Sequence, residues 1–142
     1  MGEKKGRVLY VDDEEVNLTN FKETLSDEFE IFTALSGEVA LDILKKQGEM
    51  ALVVSDQRMP GMSGIELLAQ VKMQYPETIR MIISAYTEIH ELIDAINQAE
   101  VYRYFVKPWE EEQLRLTIGN AVKTYNLAKE IKSFVSTRRT QE

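Results

Sequence analysis

Five short apolar runs alternate with five stretches of helical periodicity, and this alternation constrains the fold more than any other feature of the chain. The runs are Val8–Val11, Ile31–Ala34, Ala51–Ser55, Arg80–Ile83 and Tyr102–Val106. Leu18, Phe21 and Leu25 give the first intervening segment, from Glu15 to about Ser26, an i, i+3, i+7 stripe. Ser36 can cap a second helix whose Ala40, Ile43 and Leu44 face inward. Ser63 and Glu66 fit a capping box opening a third helix, with Ile65, Leu68 and Val71 as its buried stripe and Pro76 after its end. Thr87 is the expected cap of a fourth helix carrying Ile89, Leu92, Ile93 and Ile96. Glu110, Glu111 and Glu112 fill the first turn of a fifth, where the helix dipole favours anions. Strands alternating with helices of this length form βαβ units and a parallel sheet. Right-handed crossovers then cover both faces, a doubly wound α/β domain. The uninterrupted apolar run Ala51–Ser55 suits a central strand covered on both sides.

The residues at the strand ends are as informative. The first strand runs into Asp12-Asp13, the third into Asp56, the fourth into Ser84 and the fifth into Lys107-Pro108. Ligands of open parallel sheets bind at the carboxyl ends of the strands. Taken singly these residues have ordinary roles: a helix cap, an Asx turn, a helix-start hydroxyl, a surface charge. Together, at one edge of one sheet, they make a site. Three neighbouring carboxylates raise one another's pKa unless a cation compensates them. Oxygen ligands without His or Cys select Mg²⁺ or Ca²⁺ over zinc or copper. Magnesium takes one or two carboxylates and completes its shell with water and phosphate oxygens. A hydroxyl and an ammonium beside it suit an anion. The set describes phosphoryl transfer, with a carboxylate able to act as the nucleophile.

Composition narrows the remaining classes. A formal net charge of −7 argues against direct nucleic-acid binding. Cysteine is absent and His90 is the single histidine, so disulfides, thiolate chemistry and structural zinc are not expected. No apolar run reaches the ~20 residues of a membrane span. Residues 1–6 have no apolar signal core, and Gly2 lacks the Ser or Thr that myristoylation needs. The expectation is a cytoplasmic protein that binds no membrane. His90 is expected off the apolar stripe of its helix, and Met59 and Met62 are read as turn packing.

Four segments closely resemble a bacterial two-component receiver domain of the chemotaxis-receiver type. They are Val11-Asp12-Asp13-Glu14, Ser55 to Gly64 (SDQRMPGMSG), Ser84-Ala85 and Tyr104 to Trp109 (YFVKPW). The resemblance spans residues 6–125 and implies a flavodoxin-like, five-stranded sheet of order 2-1-3-4-5 with five helices. It implies that Asp56 is the phosphoacceptor. It gives Asp12, Asp13, Asp56 and the Arg58 backbone carbonyl to Mg²⁺, with Asp12 acting through water. Lys107 would hold a phosphoryl oxygen, across a cis Lys107–Pro108 bond, and Ser84 another in the active state. Tyr104 would be the aromatic switch that turns inward. Ser84 replaces a commoner Thr, and Trp109 a commoner Phe. The implied partner is a sensor histidine kinase or phosphotransfer protein. The implied role is a phosphorylation-driven switch, not an enzyme beyond catalysing its own phosphoryl transfer and dephosphorylation. Arg58 and Tyr86, two residues past Asp56 and Ser84, are expected to hinder attacking water and lengthen the life of the aspartyl phosphate.

A magnesium phosphohydrolase is the alternative from another class. It usually carries a second acid two residues after the nucleophile. Here Arg58 follows Asp56 at that spacing, Asp12 is followed by Glu14, and no substrate-binding cap is present. A degenerate receiver acting only as a scaffold is disfavoured, because every site position is filled. Residues 126–142 form an expected helical extension or linker, too short for an output domain. The helix should run to about Val135, with Leu127, Ile131 and Phe134 recurring at i, i+4, i+7. That stripe points to a possible homodimer or to a lead into an output module. Folding back onto the domain, or fraying, is the alternative.

Overall fold

The computed structural model describes residues 5–141, with only the backbone described at 86–89, 91 and 137–141. The signal and myristoylation expectations on residues 1–4 lie outside the described residues, as do the side chains of Tyr86, Thr87 and Ile89.

Ten elements alternate: β1 (Arg7–Val11), α1 (Glu15–Leu25), β2 (Glu30–Ala34), α2 (Gly37–Gln47), β3 (Leu52–Asp56), α3 (Gly64–Gln74), β4 (Ile79–Ala85), α4 (Tyr86–Gln98), β5 (Arg103–Lys107) and α5 (Glu111–Gln141). The five strands form one sheet of order β2-β1-β3-β4-β5, and every pairing is parallel. The expected topology is therefore present.

Strand alternation divides the core in two. Val8, Tyr10, Leu52, Val54, Met81 and Ile83 point to the face covered by α1 and α5. Leu9, Val11, Val53 and Ile82 point to the face covered by α2 and α3, with Ile96 of α4. Each Leu, Ile or Phe so buried contributes roughly 1.5–3 kcal/mol.

Helix starts follow local chemistry. The Ser36 hydroxyl accepts from the Val39 amide at 3.1 Å. The Ser63–Glu66 capping box is complete. Four expectations need correction. Thr87 is not the cap of α4: Ala85 holds that position with no side-chain bond, because β4 runs straight into the helix. In α3 the deepest residues are Leu67, Leu68 and Val71, while Ile65 is half-buried, so the buried stripe is rotated from the one expected. Ile93 is 40% exposed, and α4 seats through Ile96 and half-buried Leu92. Ile43 of α2 is likewise only half-buried, and His90 is exposed.

Arg80, buried at the start of β4, replaces apolar packing by backbone bonds. Its guanidinium donates to the carbonyls of Thr78 at 2.7 Å and Ala99 at 3.1 Å, tying the loop before β4 to the end of α4.

The fifth helix continues far past the sheet. Its core-facing residues are Leu114, Ile118, Ala121 and Val122. Beyond them a charged face rests on two loops. Tyr125 donates to Glu49 Oε2 at 2.5 Å. Lys129 Nζ lies 2.7 Å from Glu49 and 2.8 Å from Glu77, and Lys132 also pairs with Glu77. Leu127, Ile131, Phe134 and Val135 remain exposed. Hydrogen bonds from Lys129 and Lys132 hold the Glu77 carboxyl down at about 2. A lowered acid stabilises this arrangement fully above its ordinary value of 4.5, and the contribution is lost as pH falls from there towards about 2. Glu77→Gln at neutral pH, or acidification of the wild type through that window, should therefore loosen residues 126–136. Backbone ¹⁵N relaxation checks this, and unchanged order in both conditions contradicts it.

Candidate functional site

The carboxyl ends of β1, β3, β4 and β5 converge on one cleft of about 580 Å³, lined in part by Asp13, Asp56, Arg58, Ala85 and Lys107. Register fixes this meeting. Val11 pairs with Ser55, Asp56 with Ile83, and Ala85 with Lys107. Each polar residue at these ends thus comes to the same edge.

Asp12 and Asp56 are buried, and Asp13 is exposed. One carboxylate oxygen from each lies within 4.8 Å of the others, a group that could hold a metal ion. Asp12 and Asp13 do not cap α1, since Glu14 holds that position. Asp12 instead accepts from the Glu14 amide at 2.9 Å through Oδ1. Its Oδ2 accepts from the Tyr10 hydroxyl at 2.7 Å and the Asn17 side-chain Nδ2 at 3.1 Å.

Lys107 Nζ lies 2.9 Å from Asp56 Oδ1, and the Lys107–Pro108 bond is cis. Burial pushes the Asp56 carboxyl up. Lys107 opposes that shift, and the charges of Asp12 and Asp13 add to it, leaving the pKa above the ordinary carboxylate value. Burial pulls the Lys107 ammonium down, but Asp56, Asp12 and Glu14 outweigh it and hold the cation above its usual range. The site thus carries more negative charge than one lysine balances, as a metal-binding acidic cluster does.

Ser84 lies near the carboxyl end of β4, paired with Val106 of β5. Its hydroxyl is buried and, among the described residues, has no hydrogen-bond partner. An unpaired buried hydroxyl is costly. Tyr104, on β5, is 42% exposed and faces outward.

The end of β3 is tied to the start of α3. Ile65 donates its amide to Gln57 Oε1 at 2.8 Å, and Gly64 donates to the Gln57 carbonyl at 3.0 Å. Gly64 packs so closely that a Cβ there would lie 2.4 Å from the Asp56 carbonyl oxygen. Asp12, Asp13 and Asp56 come together with Lys107 against Asp56, Ser84 lies one residue before the Ala85–Lys107 pair on β4, and Arg58 lines the cleft. Sequence reasoning missed Tyr10, Asn17, Gln57 and Gly64. A tyrosine two residues before Asp12 in an aliphatic strand was the one available signal.

The profile of the response regulator receiver domain family matches residues 8–119. The hydrogenase transcriptional regulatory protein HoxA of Cupriavidus necator is 37% identical over 127 residues, which cover 89% of this chain and 26% of that protein. The chain thus spans about a quarter of this longer regulator. Sporulation initiation phosphotransferase F of Bacillus subtilis is 35% identical over 121 residues, covering 84% of this chain and 92% of that one. Among solved structures, the signal receiver domain of an HD domain-containing protein from Pseudomonas fluorescens Pf-5 superposes with a TM-score of 0.83 at 31% identity, covering 92% of this chain and 96% of that one.

Proposed function

The chain belongs to the response regulator receiver family, and we propose that Asp56 is its phosphoacceptor within a two-component signalling pathway. The observation that supports this reading best is the Asp56 carboxylate held 2.9 Å from Lys107 beside two further acids. An all-oxygen donor set without His or Cys fits Mg²⁺. Asp13, Asp56 and the Arg58 carbonyl are its proposed direct ligands, with Asp12 acting through water. When bound, the ion offsets charge on the transferring phosphoryl group.

Asp56 attacks the phosphorus of a phosphohistidine on a sensor kinase or phosphotransfer protein. The P–N bond breaks as the P–O bond forms, and the histidine leaves as neutral imidazole after taking a proton. Lys107 holds one phosphoryl oxygen by charge. Ser84 then donates its unpaired hydroxyl to another. Movement of Ser84 opens space beside β5, and outward Tyr104 turns in. Phosphorylation so shifts a two-state equilibrium of the α4–β5–α5 surface. The chain's own catalysis is confined to gaining and losing this group, in the cytoplasm, without direct contact with nucleic acid or membrane. Arg58 borders the cleft and is proposed to slow attack by water. Tyr86 has the same proposed role, though its side chain lies outside the described residues.

Ser84→Ala tests the switch. It should accept phosphate at near wild-type yield while the beryllofluoride-induced NMR shifts of Tyr104 and α4 shrink severalfold. An undiminished response removes Ser84 from the switch.

Residues 6–125 are the proposed receiver unit and 126–142 an extension that pairs with a second copy. Leu127, Ile131 and Phe134 share one helix face and stay exposed while the charged face is engaged. Light scattering should give a dimer for the full chain and a monomer for a chain ending at Tyr125. A monomeric full chain at high concentration, phosphorylated or not, excludes this pairing.

A further inference from the structure

Tyr10 is fully buried, and its hydroxyl is a donor with a defined acceptor. Its ring stacks on Phe21 of α1, with centroids 4.1 Å apart and planes 13° from parallel. Its hydroxyl lies 2.7 Å from Asp12 Oδ2. The ring therefore fixes the hydroxyl, and the hydroxyl fixes the carboxylate. Asn17 reaches the same oxygen at 3.1 Å from α1, and the Glu14 amide takes Oδ1.

These contacts resolve a physical difficulty. Asp12 is fully buried within 4.8 Å of two other acids. A buried carboxylate with no donors would leave both oxygens unpaired and free to turn away from the cluster. Three donors hold both of its oxygens in place. We infer that Tyr10 is a positioning residue for the acidic cluster: its hydroxyl orients Asp12 so that the cluster can take up a divalent cation. Tyr10 itself touches neither the cation nor the phosphoryl group. The inference rests on the magnesium reading of the site and extends it by one shell. Groups that orient metal-binding residues typically change metal affinity about 10–100-fold when lost. Tyr10 shares its oxygen with Asn17, so its own effect falls at the lower end, near tenfold.

Tyr10→Phe keeps the ring, the stack and the burial, and deletes only the donor. Titration of the purified full chain with MgCl₂, followed by calorimetry and by the fluorescence of Trp109, the single tryptophan, reads the affinity directly. The expected result is about tenfold weaker Mg²⁺ binding for Tyr10→Phe and a smaller loss for Asn17→Ala. Phe21→Leu, which disturbs the stack and leaves the hydroxyl, should lower the melting temperature and keep the affinity within about twofold. Tyr10→Phe with unchanged affinity overturns the inference and leaves the site reading standing. A loss equalled by Phe21→Leu also overturns it, because packing alone then accounts for the effect. A wild-type chain that binds no Mg²⁺ overturns both.

Discussion

Asp56→Asn should accept no phosphoryl group, yet fold at least as stably as the wild type when magnesium is absent. The first half follows from chemistry. A carboxamide is a far poorer nucleophile than a carboxylate, and no other acid in the cluster lies against Lys107. The second half follows from the sign of the Asp56 shift. Burial raises its pKa, Lys107 opposes, and Asp12 and Asp13 add to the rise. An acid with a raised folded-state pKa binds its proton more tightly in the folded protein. Its contribution is fully present below the ordinary value of 3.8 and is lost as pH rises through the folded value. At neutral pH the ionised Asp56 therefore weighs against folding, and asparagine relieves that charge. Magnesium reverses the ranking by binding the folded wild type, with a gain set by its concentration over Kd. Thermal melts in EDTA and in MgCl₂ check both signs. A variant that melts well below the wild type in EDTA contradicts this electrostatic balance.

Gly64→Ala should destabilise the protein by about 1–3 kcal/mol, the range for overpacking a tight core. The added Cβ would lie 2.4 Å from the Asp56 carbonyl oxygen and 2.6 Å from Ile82 Cδ1. The first of these is backbone, so it cannot yield without moving the strand end that carries Asp56. Phosphoacceptance should fall with stability. Gly119→Ala is the natural contrast. Its Cβ would find neighbours no nearer than 3.9 Å. Removing an interior helix glycine there should stabilise by about 0.5–1 kcal/mol. Denaturant unfolding of the two variants should shift the midpoint in opposite directions. Equal shifts would show that glycine content, not local space, decides the outcome.

Much of this molecule is legible in its sequence because the sheet is parallel and covered on both faces. Hydrophobic runs then mark strands directly, and polar residues at their ends mark the site. Asp12, Asp13, Asp56 and Lys107 are brought together from strand ends read this way. The errors lie where one residue step or one neighbour decides. Leu67 displaces Ile65 as a deep residue because α3 turns further onto β3 and β4 than the i, i+3 stripe suggests. Thr87 loses its expected cap because β4 runs to Ala85 and leaves no turn. Gly64's need for space is not legible in its local sequence, since it comes from the Asp56 backbone folding back beneath it and from Ile82 of β4. The clamp of Glu49 and Glu77 on Lys129 and Lys132 is likewise nonlocal. Charges so spaced read as ordinary solvated helix surface until the fold brings the loops beneath α5.

The phosphoacceptor role of Asp56 is the claim on which the rest depends. Incubate the full chain with phosphoramidate, with and without MgCl₂, and locate the added mass by peptide mapping under conditions that preserve acyl phosphates. The expected product carries one phosphoryl group, on the peptide containing Asp56, formed with magnesium and nearly absent without it. A phosphoryl group elsewhere in the chain, or equal labelling in EDTA, would contradict that role.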